Sequence, residues 1–407
     1  MDKMRVTVYT GKHSLTGYGA LPRKVGTHII SPLLAKGYFG GLLCTGFDAR
    51  LCPRDRVVVL KYPRMAFRIL RRGASEIRWV ASKLGLLIWQ YVDLLETVWV
   101  DRLASKQLDD CDILYCLSSY SLHTMTAAQK RGSIITLYGQ WSHVDAKERL
   151  IQEEYALQGL PYLPNPHRKR LIREYAIADY VFSPSTFSCQ SYVQAGIPEE
   201  RVVCTPNGVD IEVFHPVANC QASSRFTVMF IGSVILRKGF HYLITAMQLM
   251  NRPNVRISVF GSISHEIRRI LHKDTRMQSK GTFDIEFFKV GEVAQSLRRA
   301  SVLVLPSIEE AFGLVVLEAM ASGIPVIVTE HVGAKDVVRD GVDGYIVPIR
   351  DPAAIAERLT TLYDHPELRR EMGRNARRQA EKHRWQVHAG GFISAIEQVW
   401  RRAAIGQ

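Results

Sequence analysis

The chain has 407 residues, 47% hydrophobic and 23% charged, which suits a globular protein of two domains and excludes a fibrous or disordered one. No apolar run approaches the roughly 18 residues of a membrane span, no signal-like stretch opens the chain, and the seven cysteines are odd in number, scattered and without zinc-ligand spacing. A net charge of +14 exceeds what an enzyme of small neutral metabolites needs and points to phosphates, nucleic acid or an anionic surface.

Short apolar runs with helix-like segments between them set a βα rhythm. Arg5–Tyr9 reads as a first strand, followed by the loop Thr16-Gly17-Tyr18-Gly19, whose glycines let backbone approach a ligand or simply make a tight turn. Val57–Leu60, Asp112–Cys116, Ser133–Tyr138, Ala178–Phe182 and Arg201–Cys204 are further strands of the kind buried in parallel sheets. The rhythm restarts after Pro206–Pro216 with Phe226–Ile231, Val255–Phe260, Val302–Leu305 and Pro325–Val328. Two doubly wound halves place a ligand cleft between the carboxyl ends of their sheets.

One stretch departs from the rhythm. Between Lys61 and Lys83 there are seven basic residues (Lys61, Arg64, Arg68, Arg71, Arg72, Arg78, Lys83) against one acid, Glu76. Ile77, Val80, Leu84, Ile88, Tyr91, Leu95, Val98 and Trp99 then fall at helical spacing. That stripe is either the core face of a helix or an interfacial helix lying on a membrane.

The densest chemistry follows the strand that ends at Leu305, in Pro306-Ser307-Ile308-Glu309-Glu310-Ala311-Phe312-Gly313-Leu314, leading into a helix through Glu318. Amide groups at such a helix start suit a phosphate, and the carboxylates of Glu310 and Glu318 suit sugar and ribose hydroxyls. Their spacing of eight residues is about two helical turns, which would put both on one face; a polar cap and a surface salt bridge is the plainer alternative. Earlier, Ile231-Gly232-Ser233 and Arg237-Lys238-Gly239 bring two cations to a strand end and helix start, where a diphosphate is clamped.

With these residues in view, the sequence resembles the retaining glycosyltransferases of family 4. The resembling stretches are FIGSVILRKG, VLVLPS, EAFGLVVLEAMASGIPVIV, GVDGYIVP, and in the first half EYAIADYVFSPS and PNGVDIEVFHP. They run from Ile172 to Pro348, whereas residues 1–150 match in pattern only. The resemblance implies a GT-B fold: two Rossmann-like doubly wound parallel-sheet domains facing across a cleft. Residues 1–215 would form the acceptor-side domain, 216–384 the nucleotide-sugar domain, and 385–407 a helix packing back on the first.

It further implies that Glu318 binds ribose, Glu310 contacts the transferred sugar, Lys238 holds the diphosphate, and the backbone of Phe312, Gly313 and Leu314 approaches both. Ser233 stands where the family often has Arg, so Arg237 either replaces that cation or is simply solvated. Gly17 and Gly19 would approach the donor from the opposite domain. The family commonly carries a functional histidine on the acceptor side; His143, after the Ser133–Tyr138 strand, is favoured over His123. The expected reaction is transfer of a hexosyl group from a UDP- or GDP-sugar to an acceptor hydroxyl with retained configuration, without a metal or cofactor. The expected partners are the donor, a glycan or lipid-linked acceptor and an anionic membrane surface, with no nucleic acid, in a cytoplasmic or peripheral enzyme. A sugar phosphorylase or a nucleotide-sugar-binding protein is the alternative on the same fold.

Overall fold

The computed structural model describes residues 4–11, 29–45, 53–70, 82–216, 225–273, 283–288 and 293–405. The first sheet contains β1 (Val6–Tyr9), β2 (Phe39–Cys44), β3 (Val57–Val59), β4 (Ile113–Leu117), β5 (Ile134–Tyr138), β6 (Tyr180–Ser183) and β7 (Val202–Cys204). It is parallel throughout, in the order β3-β2-β1-β4-β5-β6-β7. The second contains β8 (Phe226–Ile231), β9 (Val255–Phe260), β10 (Phe283–Phe288), β11 (Val302–Leu305), β12 (Val326–Thr329) and β13 (Gly344–Val347), also parallel, in the order β10-β9-β8-β11-β12-β13. Both are α/β sheets that wind outward in two directions from a central pair.

The central strands are largely apolar because helices cover both faces; VLVL of β11 and VIVT of β12 are buried at every position. On the first sheet the helices are α1 (Ser31–Lys36), α2 (Ser82–Lys106), α3 (Leu122–Gln129), α4 (Val144–Leu157), α5 (Arg168–Ile177) and α6 (Thr186–Gln194). On the second they are α7 (Phe240–Met250), α8 (His265–Lys273), α9 (Val293–Leu297), α10 (Leu314–Ala321), α11 (Pro352–Asp364) and α12 (Pro366–Glu381). The last helix, α13 (Trp385–Ile405), returns to the first domain, where Phe392, Ile393, Ile396 and Val399 share a core with Val6, Val8, Ile113 and Tyr115. Two crossings therefore join the halves. They touch where Val209 N–H donates to the His383 carbonyl at 2.9 Å and Trp385 N–H to the Val209 carbonyl at 3.3 Å.

The α2 helix answers the core-or-interface question with a different face from the expected stripe. Its buried side is Val92, Glu96, Thr97, Val100, Asp101 and Ala104, whereas Tyr91 (53% exposed), Leu95 (61%) and Trp99 (44%) face solvent. Of its inward polar groups, Glu96 accepts from the Tyr62 hydroxyl at 3.0 Å and Asp101 pairs with Arg170, whereas the buried Thr97 hydroxyl has no hydrogen-bond partner among the described residues. Ile77 and Val80 lie outside the described residues. Among the described residues no helix is long and apolar enough to cross a membrane.

Candidate functional site

In a sheet of this winding, the crevice opens beyond the carboxyl ends of the strands where the order reverses. In the second sheet that point lies between β8 and β11, so Ile231-Gly232-Ser233 and Leu305-Pro306-Ser307 flank it. A 3₁₀ turn, Leu236–Lys238, follows β8 and ends on Gly239, whose φ of +65° starts α7. A Cβ there would run into the Pro306 carbonyl, so only glycine lets the two loops meet.

That meeting brings the cations onto the carboxylates. Lys238 Nζ donates to Glu310 Oε2 in a close ion pair, and Arg237 donates to Glu310 Oε2 at 3.2 Å and to Glu309 Oε2 at 3.3 Å. Arg237 also donates to the Glu309 carbonyl and is only 9% exposed, so it is built in rather than solvated. Burial would push the Glu310 carboxyl up, but Lys238 and Arg237 outweigh it and hold the group below the usual carboxylate range. Burial likewise pulls Lys238 down, while Glu310 opposes the shift. The result is an ionised hydrogen-bond acceptor beside two cations.

Glu309 reaches the other domain. It is fully buried, and its Oε1 accepts from the Ser142 hydroxyl at 2.8 Å and the Ser142 amide at 3.2 Å. Trp141 beside it lies between two cations, with the Arg237 guanidinium 4.8 Å and Lys147 Nζ 3.9 Å from its ring centroid. Burial pulls Lys147, on α4, down to about 8, with Arg237 pressing the same way and Glu309 and Glu310 opposing. Glu309, Ser142, Trp141 and Lys147 were not singled out from sequence. The signal was there in part, since Glu309 precedes Glu310, and Trp141 and Ser142 precede His143.

The other predicted residues have varied surroundings. Glu310 is not on the helix, so the two-turn argument fails: α10 begins at Leu314, after Gly313 at φ +88°, and Glu310 bridges to Val332 in the preceding loop. Glu318, within α10, lines a small cavity with Leu314, Gly208, Asp210 and Trp385 where the two crossings meet. Phe312 is core, Leu314 half-buried, and Ser233 exposed just past β8. Gly17 and Gly19 lie outside the described residues.

His143 caps α4, its Nδ1 accepting from the Asp145 amide at 3.3 Å and its own amide donating to Ser191 Oγ at 2.7 Å. The ring is 5% exposed and packs 4.9 Å from Tyr175, and burial holds its pKa down, with Asp145 opposing. His123 starts α3, its amide donating to Asp101 at 2.6 Å, beside the buried Arg170–Asp101 pair. Neither imidazole has a hydrogen bond to Glu310 among the described contacts.

Two family models match: glycosyl transferases group 1 over residues 218–379, and glycosyltransferase family 4 over residues 49–213. The chain is 32% identical over 210 residues to a D-inositol 3-phosphate glycosyltransferase of Paenarthrobacter aurescens, covering 47% of this chain and 50% of that protein. It is 30% identical over 188 residues to the capsular polysaccharide biosynthesis glycosyltransferase CapM of Staphylococcus aureus, covering 46% and 48% respectively. It thus spans about half the length of the curated relatives it matches. In fold it is similar to Anabaena HepE in complex with UDP and glucose, with a TM-score of 0.67 at 16% identity over 97% of this chain and all of that one. Sucrose-phosphate synthase of Thermosynechococcus elongatus also has a TM-score of 0.67, at 20% identity over 98% of this chain and all of that one.

Proposed function

Because this chain belongs to the group 1 glycosyltransferases of family 4, we propose that it moves a hexosyl group from a UDP- or GDP-sugar to an acceptor hydroxyl with retention of configuration. The observation that carries the reading is the convergence of Arg237 and Lys238 on Glu310 at the switch point of the second sheet. Glu310, held ionised, accepts hydrogen bonds from the hydroxyls of the transferred sugar. Lys238 and Arg237 turn to the diphosphate and neutralise the charge it gains as its bond to the anomeric carbon breaks. The acceptor oxygen bonds to that carbon on the face the diphosphate leaves, and its proton passes to the departing diphosphate oxygen. Glu318 takes the ribose, and the turn at Phe312, Gly313 and Leu314 brings backbone to the sugar and diphosphate. His143 acts in positioning, because its cap on α4 fixes Trp141 and Ser142 against Glu309 and Arg237. HepE, solved with UDP and glucose, supports a uridine donor by analogy.

We further propose that the acceptor is presented at an anionic membrane. Exposed Tyr91, Leu95 and Trp99 on α2 stand beside a helical stretch over 64–70 that exposes Met65, Ile69 and Leu70. Tyr62 and Trp99, with ring centroids 6.4 Å apart, join the two into one apolar face, edged by exposed Lys61, Arg64 and Arg68.

A screen of UDP-, GDP- and ADP-hexoses for released nucleotide tests the donor reading. Slow hydrolysis of at least one is expected, and faster release once an acceptor is added. Release that requires inorganic phosphate would favour a phosphorylase, and no release from any donor would sink the transferase reading.

A further inference from the structure

A second cavity, of about 340 Å³, opens beside the donor machinery. It lies between α2, α4, the loop over 158–167 and the start of α8, so both domains wall it. Lys147 lines it and is also the residue that stacks on Trp141 and feels both Glu309 and Glu310. One side chain thus joins the cavity to the place where the diphosphate would leave. We propose that this cavity is the acceptor site and that its occupant is a saccharide of one or two pyranose rings, a substrate class that rests on the transferase reading above.

Three observations point to a sugar rather than a purely apolar or purely anionic group. First, three aromatic side chains, Trp89, Tyr155 and Tyr162, line it, and the two tyrosine rings are fixed edge to face at 5.6 Å. Such rings match the C–H face of a pyranose, and the volume is within the range of ordinary small-ligand sites.

Second, its acceptors are held in place before anything binds. Glu148 Oε2 accepts from the Tyr162 hydroxyl and from the Asn165 amide at 3.1 Å, so Oε1 retains capacity for an incoming hydroxyl. Asp93 Oδ2 is fixed 3.2 Å from His167 Nε2.

Third, the charges lining the cavity nearly balance. Lys147 and Arg269 stand against Asp93, Glu148 and Glu266, which is poor lining for a bare phosphate and suitable for a hydroxyl-rich neutral ring. Trp89, Gln90 and Asp93 line the cavity from the helix whose next two turns carry exposed Leu95 and Trp99. A saccharide here would sit close to the surface that faces the lipid.

The test is ligand-observed saturation-transfer NMR on the full chain, with and without UDP. The probes are methyl β-glucopyranoside, methyl β-galactopyranoside, methyl α-mannopyranoside and methyl N-acetyl-β-glucosaminide. At least one should bind. Trp89→Ala and Glu148→Gln should weaken that binding at least tenfold, Trp89→Phe should retain it, and Glu318→Ala should leave it unchanged. Nucleotide release into water by the Trp89 and Glu148 variants should stay within twofold of the parent.

Binding by none of the four, or equal binding by the parent and Trp89→Ala, overturns the proposal. Loss of nucleotide release along with saccharide binding also overturns it, because the cavity would then be supporting the donor site. The titration needs no sugar nucleotide, so a failed donor screen beside intact saccharide binding separates the two readings.

Discussion

The Ser142 hydroxyl donates to Glu309 Oε1 at 2.8 Å, joining the loop after β5 in one domain to the loop after β11 in the other. The same carboxylate takes Arg237 on its second oxygen, so one buried group holds both the domain contact and a donor-site cation. If it does both, Ser142→Ala and Glu309→Gln should be energetically coupled. In a double-mutant cycle on thermal unfolding the coupling should be about 1–3 kcal/mol, as for groups sharing one buried network. Additive effects within about 0.5 kcal/mol would mean the contact contributes nothing to holding the domains together.

The donor assignments predict loss of function with the fold intact. Glu318→Ala is expected to raise the apparent donor KM at least tenfold, since a hydrogen bond to a charged group is worth about 1.5–3 kcal/mol. Lys238→Met should lower kcat more than it raises KM, because the diphosphate gains charge only as the bond breaks. Circular dichroism and donor kinetics of the purified variants check both. A Glu318→Ala enzyme that turns over donor like the parent removes ribose from that position.

Stereochemistry and metal give a third expectation. NMR of the product should show the anomeric configuration of the donor, and activity should survive EDTA, because on the proposed reading Arg237 and Lys238 meet the charge at the diphosphate. Inverted product would contradict the proposed course at the anomeric carbon, and activity restored only by added metal would require a different diphosphate clamp.

A fourth expectation concerns pH. Burial pushes Glu174 up to about 7, added to by Asp101 and opposed by Arg170 and the amides of Ser119 and Ser121. The unfolded carboxyl titrates near 4.3, so between that value and about 7 the folded state holds more protons than the unfolded one. Stability from this group therefore falls as pH rises through the window and stays lowered above it. Glu174→Gln cannot titrate, so the difference in Tm between variant and parent should shift in the variant's favour from pH 5 to pH 8. Parallel melting curves over that range would mean that Glu174 is already ionised at pH 5.

Much of this was legible in sequence where the physics is local. Buried parallel strands are continuous apolar runs, so FTVMFI and VLVL declare themselves, and the restart after Pro216 marks a second sheet. Three strands were passed over: β2 is FGGLLC, with two glycines, β10 is FDIEFF, an edge strand whose apolar residues alternate with acids, and β13 is GYIV, a four-residue edge strand that opens on glycine. Arg237 and Lys238 could be named as a pair because strand end and helix start are adjacent in sequence. Glu309 with Ser142 could not, because 167 residues separate them and only closure of one domain on the other brings them together. The α2 stripe shows the limit of periodicity. Spacing identifies an apolar face, but whether it meets protein or solvent depends on which other face, here Val92 to Ala104, has the better partner.

The exposed stripe leads to the last expectation, that the enzyme floats with anionic vesicles. Tyr91, Leu95 and Trp99 together with Met65 and Ile69 supply the apolar part, and Lys61, Arg64 and Arg68 supply charge at the same edge. Each basic residue near an anionic surface contributes about 1 kcal/mol, so several with partly inserted aromatics give reversible binding without an anchor. Two variants separate the contributions. Arg64 and Arg68 changed to Glu should abolish the preference for anionic over neutral vesicles, and Leu95→Asp should weaken binding to both kinds. Neither change touches Glu310, Lys238 or Glu318, so nucleotide release into water should stay at the parent's rate. If the parent remains in the unbound fraction with both kinds of vesicle, the apolar face has another partner, and sedimentation analysis at several concentrations then shows whether that partner is a second copy of this chain.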